Sequence, residues 1–297
     1  MAAFWLAIAS FQIARGRSAW FPLAICLIVF MIKQPEWSLA LVVFSLSLLV
    51  AAGYLFVKRA ATTEGTGSRS RRVMVIVWVF WIVWCWSTSS GIHRSQRLSL
   101  IADRPIVCLG DSLTTGLGED EAYPDYLRDL VSVPVVNWGR PGVTARDMTR
   151  HLAEILQDNP QVVVVELGGH DFLRGYSWAA TRESLAKIIE ACQDAGAHIV
   201  LVEIPRGFIT DRFSGLEREL AREYDLELVP DSLIRMLVVR SPAIPIVGDI
   251  AKPHLSGDGL HPNPAGAHYL ANGVFSALHR LYGPPITSTA SEKAAAK

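Results

Sequence analysis

Pro105–Gly110 (PIVCLG) runs directly into Asp111–Gly116 (DSLTTG). An unbroken apolar run, rather than an alternating one, is what a strand covered on both faces requires. The Gly/Ser/Thr segment after it marks a turn at the strand's carboxyl end. The same texture recurs at Val133–Gly139 (VPVVNWG), Gln161–Gly169 (QVVVVELGG), His198–Pro205 (HIVLVEIP) and Glu227–Val229. Helical spacing of apolar residues separates these strands, at Tyr123–Val131, Val143–Gln157, Trp178–Ala195, Ser214–Tyr224 and Pro264–Leu281. Thr144 followed by Asp147, and Ser177 ahead of Trp178, suit helix N-termini. Alternating strands and helices predict an α/β fold, a parallel sheet covered by helices. Residues 105–282 are long enough to bury one core.

The preceding residues are of another kind. The chain has 297 residues, 51% hydrophobic, with 28 basic and 28 acidic side chains. That neutrality is a cancellation. Residues 1–100 hold ten Lys/Arg against Glu36 and Glu64, a net +8, so the other 197 residues carry −8. Such asymmetry points to a membrane or polyanion contact. Apolar runs at Met1–Ala14, Ser18–Ile32, Trp37–Val57 and Val73–Trp86 predict a transmembrane region over 1–91 with three or four helices, since a crossing needs roughly 20 apolar residues. The basic linker 58–72, and Arg15 with Arg17, fall on the cytoplasmic side by the positive-inside rule. Everything after about Gly91 is then exported. Residues 92–104 read as a linker and 283–297 as a flexible tail. Disorder, collagen-like structure and a single soluble domain are excluded. The four cysteines, Cys26, Cys85, Cys108 and Cys192, show no disulfide or zinc spacing.

In open parallel sheets, chemistry gathers beyond the strands' carboxyl ends. There stand Asp111-Ser112 after the first strand, Gly139 after the second, His170-Asp171 after the third, and Asp258-Gly-Leu-His261 near the domain's end. A serine at a strand-to-helix turn is a weak nucleophile until a base removes its proton. His261 suits that base, and Asp258 suits the group that orients the imidazole and stabilises its charge. The backbone N–H groups of Ser112 and Gly139, with a side chain from the third loop, would receive the oxyanion. A turn feeding a helix near Pro262 or Pro264 is the structural alternative for the Asp258–His261 segment.

Together these segments resemble the SGNH (GDSL) hydrolase family, in its arylesterase and thioesterase/lysophospholipase branch. The resemblance rests on GDSLTTGLG, Glu121–Pro124 (EAYP), VVNWGRPGVTA, ELGGHDFLRG and DGLHPNPAGAHYLA, and covers about Pro105–Leu281. It implies a flavodoxin-like three-layer αβα sandwich and two-step hydrolysis through an acyl-enzyme, with neither metal nor organic cofactor. It assigns Ser112 as nucleophile and first oxyanion donor, Gly139 as second donor, and Asp258 and His261 as the rest of the triad. Thr114 stands where a G-x-S-x-G elbow needs glycine, which disfavours the α/β-hydrolase fold.

The family's third donor is asparagine, and here the position holds His170. A neutral imidazole donates one N–H and an imidazolium two. The implied substrate is a small ester, thioester or lipid-like molecule, with the N-terminal helices meeting membrane lipids and no nucleic acid involved. An O-acetyl esterase or acyltransferase on a cell-envelope glycan is one alternative; a hydrolase scaffold silenced at His170 is the other. Phe172–Tyr176 and Arg206–Phe213 supply apolar side chains for an acyl pocket or for packing.

Overall fold

The computed structural model describes residues 92–94, 97–116, 122–206, 211–239 and 254–288. The expected transmembrane region, its basic linker 58–72 and residues 289–297 lie outside the described residues.

Five strands, β1 (Ile106–Gly110), β2 (Val135–Gly139), β3 (Val162–Glu166), β4 (His198–Val202) and β5 (Glu227–Val229), form one sheet. Their order is β2-β1-β3-β4-β5 and every pairing is parallel. This flavodoxin-like order has its switch point between β1 and β3. Gly110 pairs with Gly139 on one side and Glu166 on the other, so three strands end level at one edge.

The helices, in chain order, are α1 (Ser112–Thr115), α2 (Tyr123–Leu130), α3 (Ala145–Met148), α4 (Leu152–Gln157), α5 (Gly169–Leu173), α6 (Trp178–Asp194), α7 (Leu216–Glu223), α8 (Ser232–Val239) and α9 (Pro264–Tyr282). One face of the sheet (Ile106, Cys108, Val162, Val164, Val200) packs with Leu127 of α2 and Leu270, Val274 and Leu278 of α9. The other (Val107, Leu109, Val163, Val165, Leu201) packs with Met148 of α3, Leu185 and Ile188 of α6, and Leu220 of α7. Successive strand residues thus feed opposite cores, and both faces are dry. This is the expected three-layer sandwich. Cys108 and Cys192 are buried and free, and burial pushes both thiols up to about 12.

Three local features differ from the sequence reading. The helix expected over Val143–Gln157 is interrupted by a 3₁₀ turn, Thr149–His151, where Thr149 Oγ1 donates to the Arg146 carbonyl at 2.7 Å. A threonine that competes for helix carbonyls loosens the ladder. The segments α1, α5 and α8 had no signal of their own. The domain also extends past 105–282 at both ends. Residues expected as linker are held: Ile92 O accepts from Leu228 N at 2.8 Å, His93 Nδ1 lies 2.9 Å from Glu227, and Leu98 N donates to Leu281 O at 2.8 Å. The expected tail begins late, because Pro284–Ile286 forms a 3₁₀ turn and Ile286 is fully buried. Its carbonyl accepts from Ser132 N at 2.8 Å. Single apolar anchors of this kind carry no periodicity.

Ile286→Ala should therefore cost about 2–4 kcal/mol by urea denaturation, in the range of an isoleucine truncated in a core. An unchanged midpoint would remove residues 283–288 from the folded domain.

Candidate active site

Each functional side chain stands at the sheet edge where Gly110, Gly139 and Glu166 end. The chain leaves β1 through Asp111, whose Oδ1 accepts from Leu113 N at 3.0 Å and so caps α1. Capping an N-terminal turn with aspartate is favourable, and it puts Ser112 at the first helical position. The hydroxyl of Thr114, two residues on, points back to Glu166.

Glu166, the last residue of β3, lies under this turn. Its Oε2 accepts from Thr114 Oγ1 at 2.9 Å and Asp111 N at 3.3 Å, while Oε1 is buried with no partner among the described residues. Burial, then the neighbouring Asp111 charge, push this carboxyl well above the ordinary carboxylate range. Burial raises Asp111 as well, opposed by the Leu113 N–H and by His170, Glu166 and His261.

The fourth loop is a compact hairpin. Leu255 pairs antiparallel with Pro262, Ser256 N donates to His261 O at 2.8 Å, and buried Leu255 anchors it in the core. Asn263 caps α9 through Gly266 N at 3.0 Å. The expected turn into a helix at Pro264 and the Asp258–His261 arrangement thus coexist. Asp258 Oδ1 accepts from Leu260 N (2.9 Å) and His261 N (3.0 Å), leaving Oδ2 for His261 Nδ1 at 2.6 Å. The two backbone N–H groups and the imidazole hold the Asp258 carboxyl down to about 2. His261 Nε2 lies 2.9 Å from Ser112 Oγ. With Nδ1–H donating to Asp258, Nε2 is the free acceptor for the serine proton.

The second loop departs from expectation. Gly139 N donates to Asn137 Oδ1 at 2.8 Å, so that N–H is already used. What Gly139 provides is room, since a Cβ there would sit 2.4 Å from Thr115 N. The next turn, Arg140–Val143, closes with Val143 N on Arg140 O and puts Gly142 at φ +74. Proline followed by a positive-φ glycine is the type II arrangement. Gly142 N has no hydrogen-bond partner among the described residues, and neither has Ser112 N. Arg140 N on Gly110 O (3.0 Å) and Arg174 Nη2 on Gly142 O (2.8 Å) tie this turn to the first and third loops. The Pro141-Gly142 pair was the available signal.

The third loop holds His170 in α5. Its Nε2 is 4.0 Å from Asp111 Oδ2, and the ring is about a quarter exposed. Asp171 beside it is buried, its Oδ2 accepting from Ala145 N at 2.8 Å. Phe172 and Phe213 meet edge-to-face at 5.6 Å with Phe213 fully buried. Those two aromatics are packing, and Phe208 and Ile209 lie outside the described residues. Leu173, the last residue of α5, and Leu260, next to His261 in the chain, are 70% and 65% exposed.

Residues 108–269 match the model of the GDSL-like Lipase/Acylhydrolase family. The chain belongs to this family. It is 29% identical over 191 residues to the arylesterase of Vibrio mimicus, spanning 60% of this chain and 89% of that protein. It is also 29% identical over 187 residues to thioesterase 1/protease 1/lysophospholipase L1 of Escherichia coli (strain K12), spanning 59% and 84%. The solved structure of TesA matches at a TM-score of 0.51 and 26% identity, covering 60% of this chain and all but 1% of its own. The GDSL family membership and these relatives make the chain a hydrolase of the SGNH/GDSL esterase type.

The upward shift of Glu166 has a pH signature. Between the unfolded carboxyl range and its raised folded value, the folded state holds a proton that the unfolded state has lost, so stability falls as pH rises. Glu166→Gln lacks this loss. Its melting temperature relative to the native chain should become more favourable from pH 5 to pH 8. A difference that stays constant with pH would show Glu166 to be ionised in the fold.

Proposed function

We propose that this hydrolase is a membrane-anchored serine esterase, cleaving carboxylic esters, thioesters or lysophospholipids through an acyl-Ser112 intermediate. The observation that carries the chemistry is the chain of contacts from Ser112 Oγ through His261 to Asp258, at 2.9 Å and 2.6 Å. His261 Nε2 takes the Ser112 proton as Oγ attacks the acyl carbon. Ionised Asp258 stabilises the resulting imidazolium, which then protonates the leaving alcohol or thiol. Water, giving a proton to His261, then attacks the acyl carbon, and the imidazolium returns that proton to Ser112 Oγ as the acid leaves.

The oxyanion formed at each step needs donors aimed at it. Ser112 N–H is one. On the second loop the unpaired Gly142 N–H takes the part expected of Gly139. His170, with no ring hydrogen bond among the described residues, is the third. Names of the relatives favour aryl ester, thioester and lysophospholipid substrates, and the exposed Leu173 and Leu260 suit an apolar acyl group at the mouth.

Anchoring rests on the sequence: the four apolar runs before residue 91, the Arg-rich loops between them, and the Trp-rich last run. Among the described residues no helix is long and apolar enough to cross a membrane. With the basic loops cytoplasmic, the hydrolase domain lies on the exported side of the cytoplasmic membrane.

Ser112→Ala should reduce hydrolysis of p-nitrophenyl esters by about 10⁶-fold, and Asp258→Asn by about 10⁴-fold, as when triad members are removed. His170→Ala should lower kcat by about 10²–10³-fold with KM little changed, whereas His170→Asn should keep most activity. A native chain without Ser112-dependent hydrolysis would instead favour the silenced scaffold. Release from membranes by alkaline carbonate, without detergent, would reject the anchor.

A further inference from the structure

We propose that Arg206 is a positioning residue for the oxyanion site, its buried guanidinium fixing the Gly168 carbonyl and through it the turn that presents His170. The inference rests on the reading of His170 as a donor. Arginine is ordinarily a surface residue, but the Arg206 side chain is 1% exposed, as is that of its ion-pair partner Glu217 on α7. Nε donates to Gly168 O at 3.2 Å, and Nη1 and Nη2 both meet the Glu217 carboxylate. Arg206 is itself held, its backbone N on Asp211 Oδ2 at 3.2 Å and its guanidinium 5.1 Å from the Phe213 ring centre.

Gly168 is the residue this clamp acts on. It caps α5 with φ +111, and a Cβ there would lie 2.6 Å from Arg206 Nη2. Its carbonyl also accepts Phe172 N at 3.2 Å, the first hydrogen bond of the α5 turn. The guanidinium edge therefore meets the backbone two residues before His170. A rigid fork makes both contacts at once, which a lysine ammonium on a flexible stem does not.

Stability is a poor reason for the arrangement. A buried ion pair is often no better than an apolar pair of like volume, because both charges lose their water. Geometry is the better reason: a misplacement of about 1 Å at a catalytic group costs on the order of 10²-fold in rate. The His170 imidazole stands on a five-residue turn whose first carbonyl is the one Arg206 holds.

The test is a set of double-mutant cycles on the full chain, reading kcat and KM for p-nitrophenyl butyrate. Arg206→Lys keeps a charge for Glu217 but not the fork. Arg206→Met combined with Glu217→Met removes both charges, so no lone buried charge unfolds the domain. In the native His170 background each should lower kcat by about 10- to 100-fold with KM within about twofold. In the His170→Ala background the same changes should lower kcat by less than about threefold, because the group being positioned is gone. Equal losses in both backgrounds, or native kcat in both folded variants, would overturn the proposal while leaving Ser112 chemistry intact. Loss of Ser112-dependent turnover from the native chain would reject the functional reading and this inference together. A His170→Ala chain as fast as the native one would reject the inference together with the donor role of His170, leaving the Ser112 chemistry intact.

Discussion

Three strands that end at one level set the position of three of the four loops at the candidate site. Gly110 stands opposite Gly139 and Glu166 in the sheet, and each strand's next residues turn into a functional loop. Slipping one strand by a residue would exchange its core faces, so the two apolar cores fix the register. The loops inherit that precision because they are short and tied to each other. Arg140 N reaches Gly110 O, Asn137 Nδ2 reaches Thr114 O at 3.1 Å, and Asp171 holds Ala145 N. The fourth loop comes from far along the sequence, and its own hairpin hydrogen bonds set the angle at which His261 meets Ser112.

Beneath this edge the interior is polar where a sheet protein is ordinarily apolar. Glu166 sits under the nucleophile's turn, and the ion pair of Arg206 and Glu217 sits under the turn of His170. Such groups are costly to bury unless their hydrogen bonds are made, and that cost pushes the Glu166 carboxyl well above the ordinary carboxylate range. Both lie directly below a loop that carries a residue of the proposed site. The pattern is that of a site supported from beneath by hydrogen bonds that packing alone would not supply.

The sheet, its parallel sense and most helices could be read from the sequence because long apolar runs and 3.6-residue spacing are collective signals. Thr144 and Ser177 did form the expected caps, accepting from Asp147 N and Ala180 N. Ser112 is singled out by its place after a strand, and Asp258 and His261 by residue type near the domain's end; the structure brings the three within hydrogen-bond distance. Gly139 was misread because a glycine that makes room for a neighbour and one that offers its N–H look alike in a sequence; only the Asn137 contact separates them. Arg206 was missed because arginine is ordinarily a surface residue and its partner Glu217 is eleven residues away, across a loop. Ile92 and Ile286 were assigned outside the domain because a single anchoring side chain has no period.

The central claim is that Ser112 Oγ, activated by His261, forms the covalent acyl intermediate. It is tested most directly by treating the chain with a fluorophosphonate and mapping the adduct by peptide mass spectrometry. One phosphonyl group is expected, on the peptide carrying Ser112, formed much more slowly after His261→Ala. An adduct on another residue, or labelling of Ser112 at the same rate without His261, would contradict it.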